Sequence, residues 1–241
     1  MRKGIYILPN SLTLCGMFCG FYAILACFKG HYVYAAWAIL IANIFDGLDG
    51  WVARLTNSTT KFGVELDSLS DLVAFGVAPA VLIYSWGDLH AFGRVGWGAA
   101  FIYVICGALR LARYNVQMGT TESKAFTGLP IPGAGTVVAS LVLFYNEIWG
   151  TMAGKNYIVL FLPFLLAALM VSMLKFHGLK EINFRERKPF WLLVVIVVAF
   201  VLIFMYPEIV IFIFAIIYVC WGIIEGTYIS YKKKKVREIL P

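Results

Sequence analysis

Apolar runs of helix length recur along the chain, at roughly 9–28, 32–56, 62–86, 95–117, 131–150, 157–175, 190–206 and 208–230. A helix that crosses a bilayer needs about 20 mostly apolar residues, within a range of about 17–25. Eight such runs in 241 residues leave nothing over for a soluble core. The composition agrees, at 61% hydrophobic and 14% charged. Soluble domains are about 45–50% apolar and about 25% charged. Mean hydropathy is +0.84. The expectation is an all-α, polytopic integral membrane bundle of about eight transmembrane helices. It would form a single domain over 1–241 with a basic tail at 231–241. Only Tyr206-Pro207-Glu208 separates the last two runs. A re-entrant pair is the alternative there, and Pro207 makes a turn the simpler choice.

The start, Met1-Arg2-Lys3, leads into an apolar run with Pro9 and Asn10 and no small-residue cleavage site, so the first span is expected to be retained. Lys and Arg in the connections set the orientation. Seventeen of the 20 basic residues fall on one side; only Lys29, Arg94 and Lys155 fall on the other. That alternation requires both termini, and the turn at 56–61, to face the cytoplasm. The net charge of +7 is then mostly a membrane-surface signal. The run Lys232 to Lys235 serves as a topology signal or as a grip on anionic headgroups. Nucleic acid is excluded as a partner, because no soluble basic module exists to carry it. Cys15, Cys19, Cys27, Cys106 and Cys220 lack the neighbours of a metal site and read as small apolar fillers without disulfides. His31, His90 and His177 fall in connections with no Ser or Cys partner at a useful spacing.

Within this apolar chain stand Asp46, Asp49, Asp67 and Asp71. An intramembrane carboxylate costs at least about 2.5–3.5 kcal/mol at mid-bilayer, so four of them facing lipid would be prohibitive. They must face a polar cavity, pair with cations, or both. Helical geometry puts Asp46 about 60° from Asp49, and Asp67 about 40° from Asp71. Gly50 and Ala53 share the first face, and Gly63 and Ala74 the second. Asp49 lies about 12 Å before the turn and Asp67 about 10 Å after it. Two antiparallel helices would therefore set the two pairs side by side, below a mouth lined by Arg54 and Lys61. All-oxygen ligation points to hard divalent cations, Mg²⁺, Mn²⁺ or Ca²⁺. Four carboxylates can hold two such ions, an arrangement suited to phosphoryl chemistry. Close helix packing through Gly47, Gly50, Ala53 and Gly63 is the alternative; it accounts for the small residues but not for the acids.

The pattern Asp46-x2-Asp49-Gly50-x2-Ala53-Arg54-x8-Gly63-x3-Asp67-x3-Asp71 resembles the signature of the CDP-alcohol phosphotransferases, with every position matched over residues 46–71. Members of that family are membrane enzymes that move a phosphatidyl or similar group from a CDP-linked lipid to an alcohol, releasing CMP. The resemblance implies that Asp46, Asp49, Asp67 and Asp71 ligate two divalent cations, and that Asp71 doubles as general base. It implies that Gly50, Ala53, Arg54 and Gly63 border the nucleotide, with Thr60 at the place of a hydroxyl residue that touches the nucleotide in some members. It also implies a homodimer. A carboxylate that accepts the proton of an attacking hydroxyl suits such chemistry. No activated nucleophile is evident, so a single displacement is favoured over a covalent intermediate.

Three further segments, "PNSLTLCG" at 9–16, "GALRLARYN" at 107–115 and "FTGLPIPGAG" at 126–135, resemble those of the serine-accepting branch of the family. That likeness implies a CDP-diacylglycerol-type lipid and L-serine as substrates. Arg110 and Arg113 can meet a carboxylate or a lipid phosphate, or can simply anchor the helix at the cytoplasmic face. The Pro- and Gly-rich segment can line an acceptor pocket or merely open a helix. Asn10 and Asn43 support the site or form interhelical hydrogen bonds. Glycerol 3-phosphate and inositol phosphate remain alternative acceptors. A cation channel or transporter is the reading from another class.

Overall fold

The computed structural model describes residues 7–56, 58, 60–118, 128–150, 153–174, 201–202 and 204–239, with the backbone alone for 118 and 229–239. The described residues are helical throughout their regular structure. The helices are α1 (Ile7–Phe28), α2 (Tyr32–Leu55), α3 (Lys61–Trp86), α4 (Arg94–Met118), α5 (Ile131–Trp149), α6 (Tyr157–Val171) and α7 (Pro207–Ile239). Six of them are long and apolar enough to cross a membrane; α6 is shorter. Large apolar side chains such as Phe18, Phe21, Trp51, Phe101, Phe161 and Trp221 point outward. That is the inverse of a soluble surface and the mark of a membrane bundle.

Six of the eight expected spans correspond to helices long and apolar enough to cross a membrane, and a seventh to the shorter α6. The expected span at 190–206 lies almost wholly outside the described residues. Helix α6 ends at Val171, short of the expected 175, where Ser172 turns to ψ 155. Helix α7 instead runs on to Ile239, through the lysine run that was expected to lie beyond the last span.

Local chemistry accounts for the helix ends. The Thr60 side chain accepts from Gly63 N at 3.0 Å and caps α3. The Asn156 side chain accepts from Ile158 N at 2.8 Å and caps α6. Such caps satisfy backbone donors that the first turn leaves orphaned. Helix α5 follows Pro130 and closes at Gly150, whose φ of 65° needs a residue without a Cβ.

Helix α3 is not regular. Between Lys61–Asp71 and Ala78–Trp86 it widens into a π-helical segment, Leu72–Val77. Pro79 supplies the reason: it has no N–H for the Phe75 carbonyl, and its ring crowds that carbonyl. Tyr103 of α4 donates to the Phe75 oxygen at 2.9 Å, and both residues are buried. Leaving that carbonyl unpaired would cost about 1–3 kcal/mol.

The core lies where α1, α2, α3 and α5 meet, and much of it is alanine: Ala23, Ala35, Ala42, Ala74, Ala78 and Ala134 are all buried. Small side chains let helix backbones approach closely where water supplies no driving force. One close approach is at Gly20 of α1, where a Cβ would lie 2.6 Å from Ala74 Cα. That approach holds α1 against the part of α3 that follows Asp71.

Candidate active site

Helices α2 and α3 are joined by a short turn, so they run antiparallel and their acidic faces meet. Asp46, Asp49 and Asp67 each present a carboxylate oxygen within 4.8 Å of the others. Asp71, one turn deeper on α3, shares a cleft with these three and is hydrogen-bonded to Asp46. Two carboxyl groups in such contact need a proton or a cation between them. The donor set is oxygen only, and the cleft beside Thr13, Gly16 and Ser70 has no room for a water molecule. Hard divalent cations fit those donors. Clustered, nearly buried carboxylates are otherwise an unrelieved electrostatic cost.

Above the acids opens a cavity of about 140 Å³. Pro9, Asn10 and Thr13 of α1 line one wall; Asp49, Gly50 and Ala53 of α2 line another; Ser58, Thr60, Gly63, Val64 and Asp67 complete it. A Cβ on Gly47 or Gly50 would meet nothing within 4 Å. Helix packing therefore does not require these two glycines, and at Gly50 the missing side chain leaves the cavity open. Gly63 is different: a Cβ there would lie 3.2 Å from Asn10 Oδ1 and from Thr60 Oγ1. Arg54 is exposed at the end of α2, within electrostatic reach of Tyr114.

The sequence-derived candidates thus line the cavity or the cleft, except Asn43, Arg54, Arg110 and Arg113. Asn43 donates to Thr136 of α5 at 2.8 Å, so of its two readings the structure has the interhelical bond. Arg113 donates to the Val171 and Ser172 carbonyls, at 3.3 and 3.5 Å. The end of α6 leaves carbonyls unpaired, and a guanidinium satisfies them while complementing the helix dipole. Arg110 stays by the acids, within electrostatic reach of Asp71.

Two supports were missed. Thr13 donates to Asp49 Oδ2 at 2.6 Å, while Ser70 donates to the Thr13 carbonyl at 2.9 Å. Together they tie α1 to both acidic helices and fix the Asp49 carboxylate. Asn115 donates to Ser68 Oγ at 2.9 Å, locking α4 to α3 beside Asp67. Both residues stood in quoted segments, but a polar residue in an apolar helix does not announce its partner.

The sequence profile of the CDP-alcohol phosphatidyltransferase family matches residues 6–174, which span all of these groups. The chain belongs to that family. A CDP-diacylglycerol--serine O-phosphatidyltransferase of Helicobacter pylori (strain ATCC 700392 / 26695) is 35% identical over 228 residues, covering 95% of this chain and 94% of the relative. A protein of that name from Mycobacterium bovis is 33% identical over 233 residues, covering 91% and 78%. An archaetidylserine synthase of Methanothermobacter thermautotrophicus is 43% identical over 145 residues, covering 58% and 60%. As a CDP-alcohol phosphatidyltransferase, the chain is a membrane transferase of lipid synthesis, and its acidic cluster lies within the matched residues.

Proposed function

We propose that the protein transfers a phosphatidyl group from CDP-diacylglycerol to the hydroxyl of L-serine, giving phosphatidylserine and CMP. The observation that carries the reading is the meeting of α2 and α3 carboxylates beneath an open cavity. The chain's likeness over 95% of its length to a relative named for the serine reaction supports the choice of acceptor.

Asp46, Asp49, Asp67 and Asp71 would hold two divalent cations, Mg²⁺ or Mn²⁺. When bound, such cations offset the charge of the diphosphate and of the departing CMP. The rest falls to the protein. Gly50, Ala53 and Gly63 leave bare helix for the cytidine nucleotide, and Arg54 and Thr60 meet its polar groups. Asp71 accepts the proton as the serine oxygen attacks the lipid-side phosphorus. The bond from that phosphorus to the bridging oxygen breaks, and CMP leaves with the electron pair. Substrate held in line by surrounding walls supplies much of such a rate enhancement.

Arg110 is the one buried basic side chain among the described residues. Its guanidinium can pair bidentately with serine's carboxylate, whereas a phosphorylated acceptor would call for further cationic side chains beside it. The arrangement in the cell follows from the distribution of basic residues. The whole chain is one domain of eight spans in the cytoplasmic membrane, with both termini and the cavity mouth facing the cytoplasm. The protein assembles as a homodimer, as the family resemblance implies.

The test is an acceptor panel with purified protein, CDP-diacylglycerol and Mn²⁺ or Mg²⁺. Serine should release CMP well above glycerol 3-phosphate and inositol phosphate. A stronger response to either phosphorylated alcohol would reassign the acceptor.

A further inference from the structure

Helix α3 changes character at Asp71. Along Lys61–Asp71 only Ser70 is buried. Beyond it, Ala74, Phe75 and Gly76 are buried, and so are Ala78, Pro79, Leu82 and Ile83. The acidic half is tied by hydrogen bonds, from Ser70 to the Thr13 carbonyl and from Asn115 to Ser68. The far half is fixed by packing in the core. The π-helical segment Leu72–Val77 is the joint between the two.

A π turn holds one more residue than an α turn, so a single such turn absorbs one extra residue in a helix. Each residue of an α-helix turns its face by about 100°. Closing the joint into regular α-helix would therefore swing Asp67 and Asp71 by about 100° relative to the core half. That swing would carry them away from Asp46 and Asp49.

Three neighbouring helices close on the joint. A Cβ on Gly20 of α1 would lie 2.6 Å from Ala74 Cα, and one on Gly135 of α5 would lie 3.2 Å from Phe75 Cβ. Tyr103 of α4 donates to the Phe75 carbonyl, one turn beyond Asp71. Within the joint, Ala78 N donates to the Val73 carbonyl five residues back, which is the bond of a π turn. Pro79 bars the α-helical alternative, because it has no N–H to offer Phe75.

We propose that this joint aims Asp67 and Asp71 at Asp46 and Asp49, and that Tyr103 is a positioning residue for the cation site. This rests on the cation reading above. Tyr103 acts through the Phe75 carbonyl: its hydroxyl holds the widened turn open, and the widened turn sets the rotation of the acids.

The test measures Mn²⁺ binding to the full chain in detergent by electron paramagnetic resonance, beside the melting temperature. In Tyr103→Phe the Kd for Mn²⁺ should rise about tenfold, the scale of losing a support behind a metal ligand. Pro79→Ala supplies an N–H for the Phe75 carbonyl and favours the regular helix. It should weaken binding in the same direction, and it carries the test if Tyr103→Phe does not fold. Gly87→Ala is the control, about 24 Å along α3 from Asp71. Its Cβ would lie 2.7 Å from the Ile83 oxygen, so it should lower the melting temperature while leaving the Kd within about twofold. An unchanged Kd in folded Tyr103→Phe would overturn the proposal. So would an equal rise in Gly87→Ala, which would mark lost stability rather than lost aim. A wild type that binds no Mn²⁺ would sink the cation reading, and this proposal with it.

Discussion

Asp71 stands where two demands meet, since it touches Asp46 on one side and lies within reach of Arg110 on the other. Asp71→Asn keeps the shape but removes the proton acceptor. Turnover should fall by about 100- to 10,000-fold, with binding of CMP measured by calorimetry largely kept; undiminished turnover would remove Asp71 as the base. Thr13→Val removes the 2.6 Å bond to Asp49. The Mn²⁺ concentration for half-maximal activity should rise about 10- to 100-fold, the usual cost of losing a ligand's supporting bond. At this scale the acids were legible in the sequence because charge in an apolar run is expensive and needs a reason. The partners of Thr13 and Asn115 were not, because an interhelical hydrogen bond depends on rotation and depth that spacing alone does not set. Arg113, read as a partner for a carboxylate or phosphate or as an anchor, donates to the carbonyls at the end of α6.

At the scale of elements, run length and turn residues placed most ends of the described helices within a few residues, the end of α7 excepted, because a bilayer demands uninterrupted apolar stretches. The π-helical segment after Asp71 left no trace in hydropathy. It arises from Pro79 and is stabilised by the Tyr103 hydroxyl, a contact between two helices. Tyr103→Phe strands the Phe75 carbonyl and should cost about 1–3 kcal/mol, read as a lower melting temperature in detergent. An unchanged melting temperature would mean that the carbonyl is satisfied in another way. Gly20→Ala brings a Cβ within 2.6 Å of Ala74 Cα, a backbone atom that cannot step aside. It should destabilise by about 1–3 kcal/mol and lower activity by shifting α1, which carries Thr13. Gly50→Ala meets no protein atom within 4 Å. It should leave stability alone and raise the KM for the CDP-lipid, so that a fall in melting temperature there would speak for packing after all.

For the whole molecule, a membrane protein has little freedom to place four acids together unless a counter-charge comes with them. The bundle achieves it with alanines and glycines at the core, polar anchors from α1 and α4, and a cavity opening between α1, α2 and α3. Overall architecture and site were readable together because both follow from one constraint, the cost of charge in lipid. The packing of α7 on α5 was not, since spacing along the chain does not set which helices meet. The measurement that bears most directly on this account is CMP release from CDP-diacylglycerol and serine after EDTA treatment, titrated with Mn²⁺ beside direct counting of bound Mn²⁺. Activity should be absent without the ion and return as about two Mn²⁺ bind per chain, with Asp46→Asn and Asp67→Asn shifting both curves together. Full activity in EDTA, or serine-dependent CMP release with no bound Mn²⁺, would contradict it.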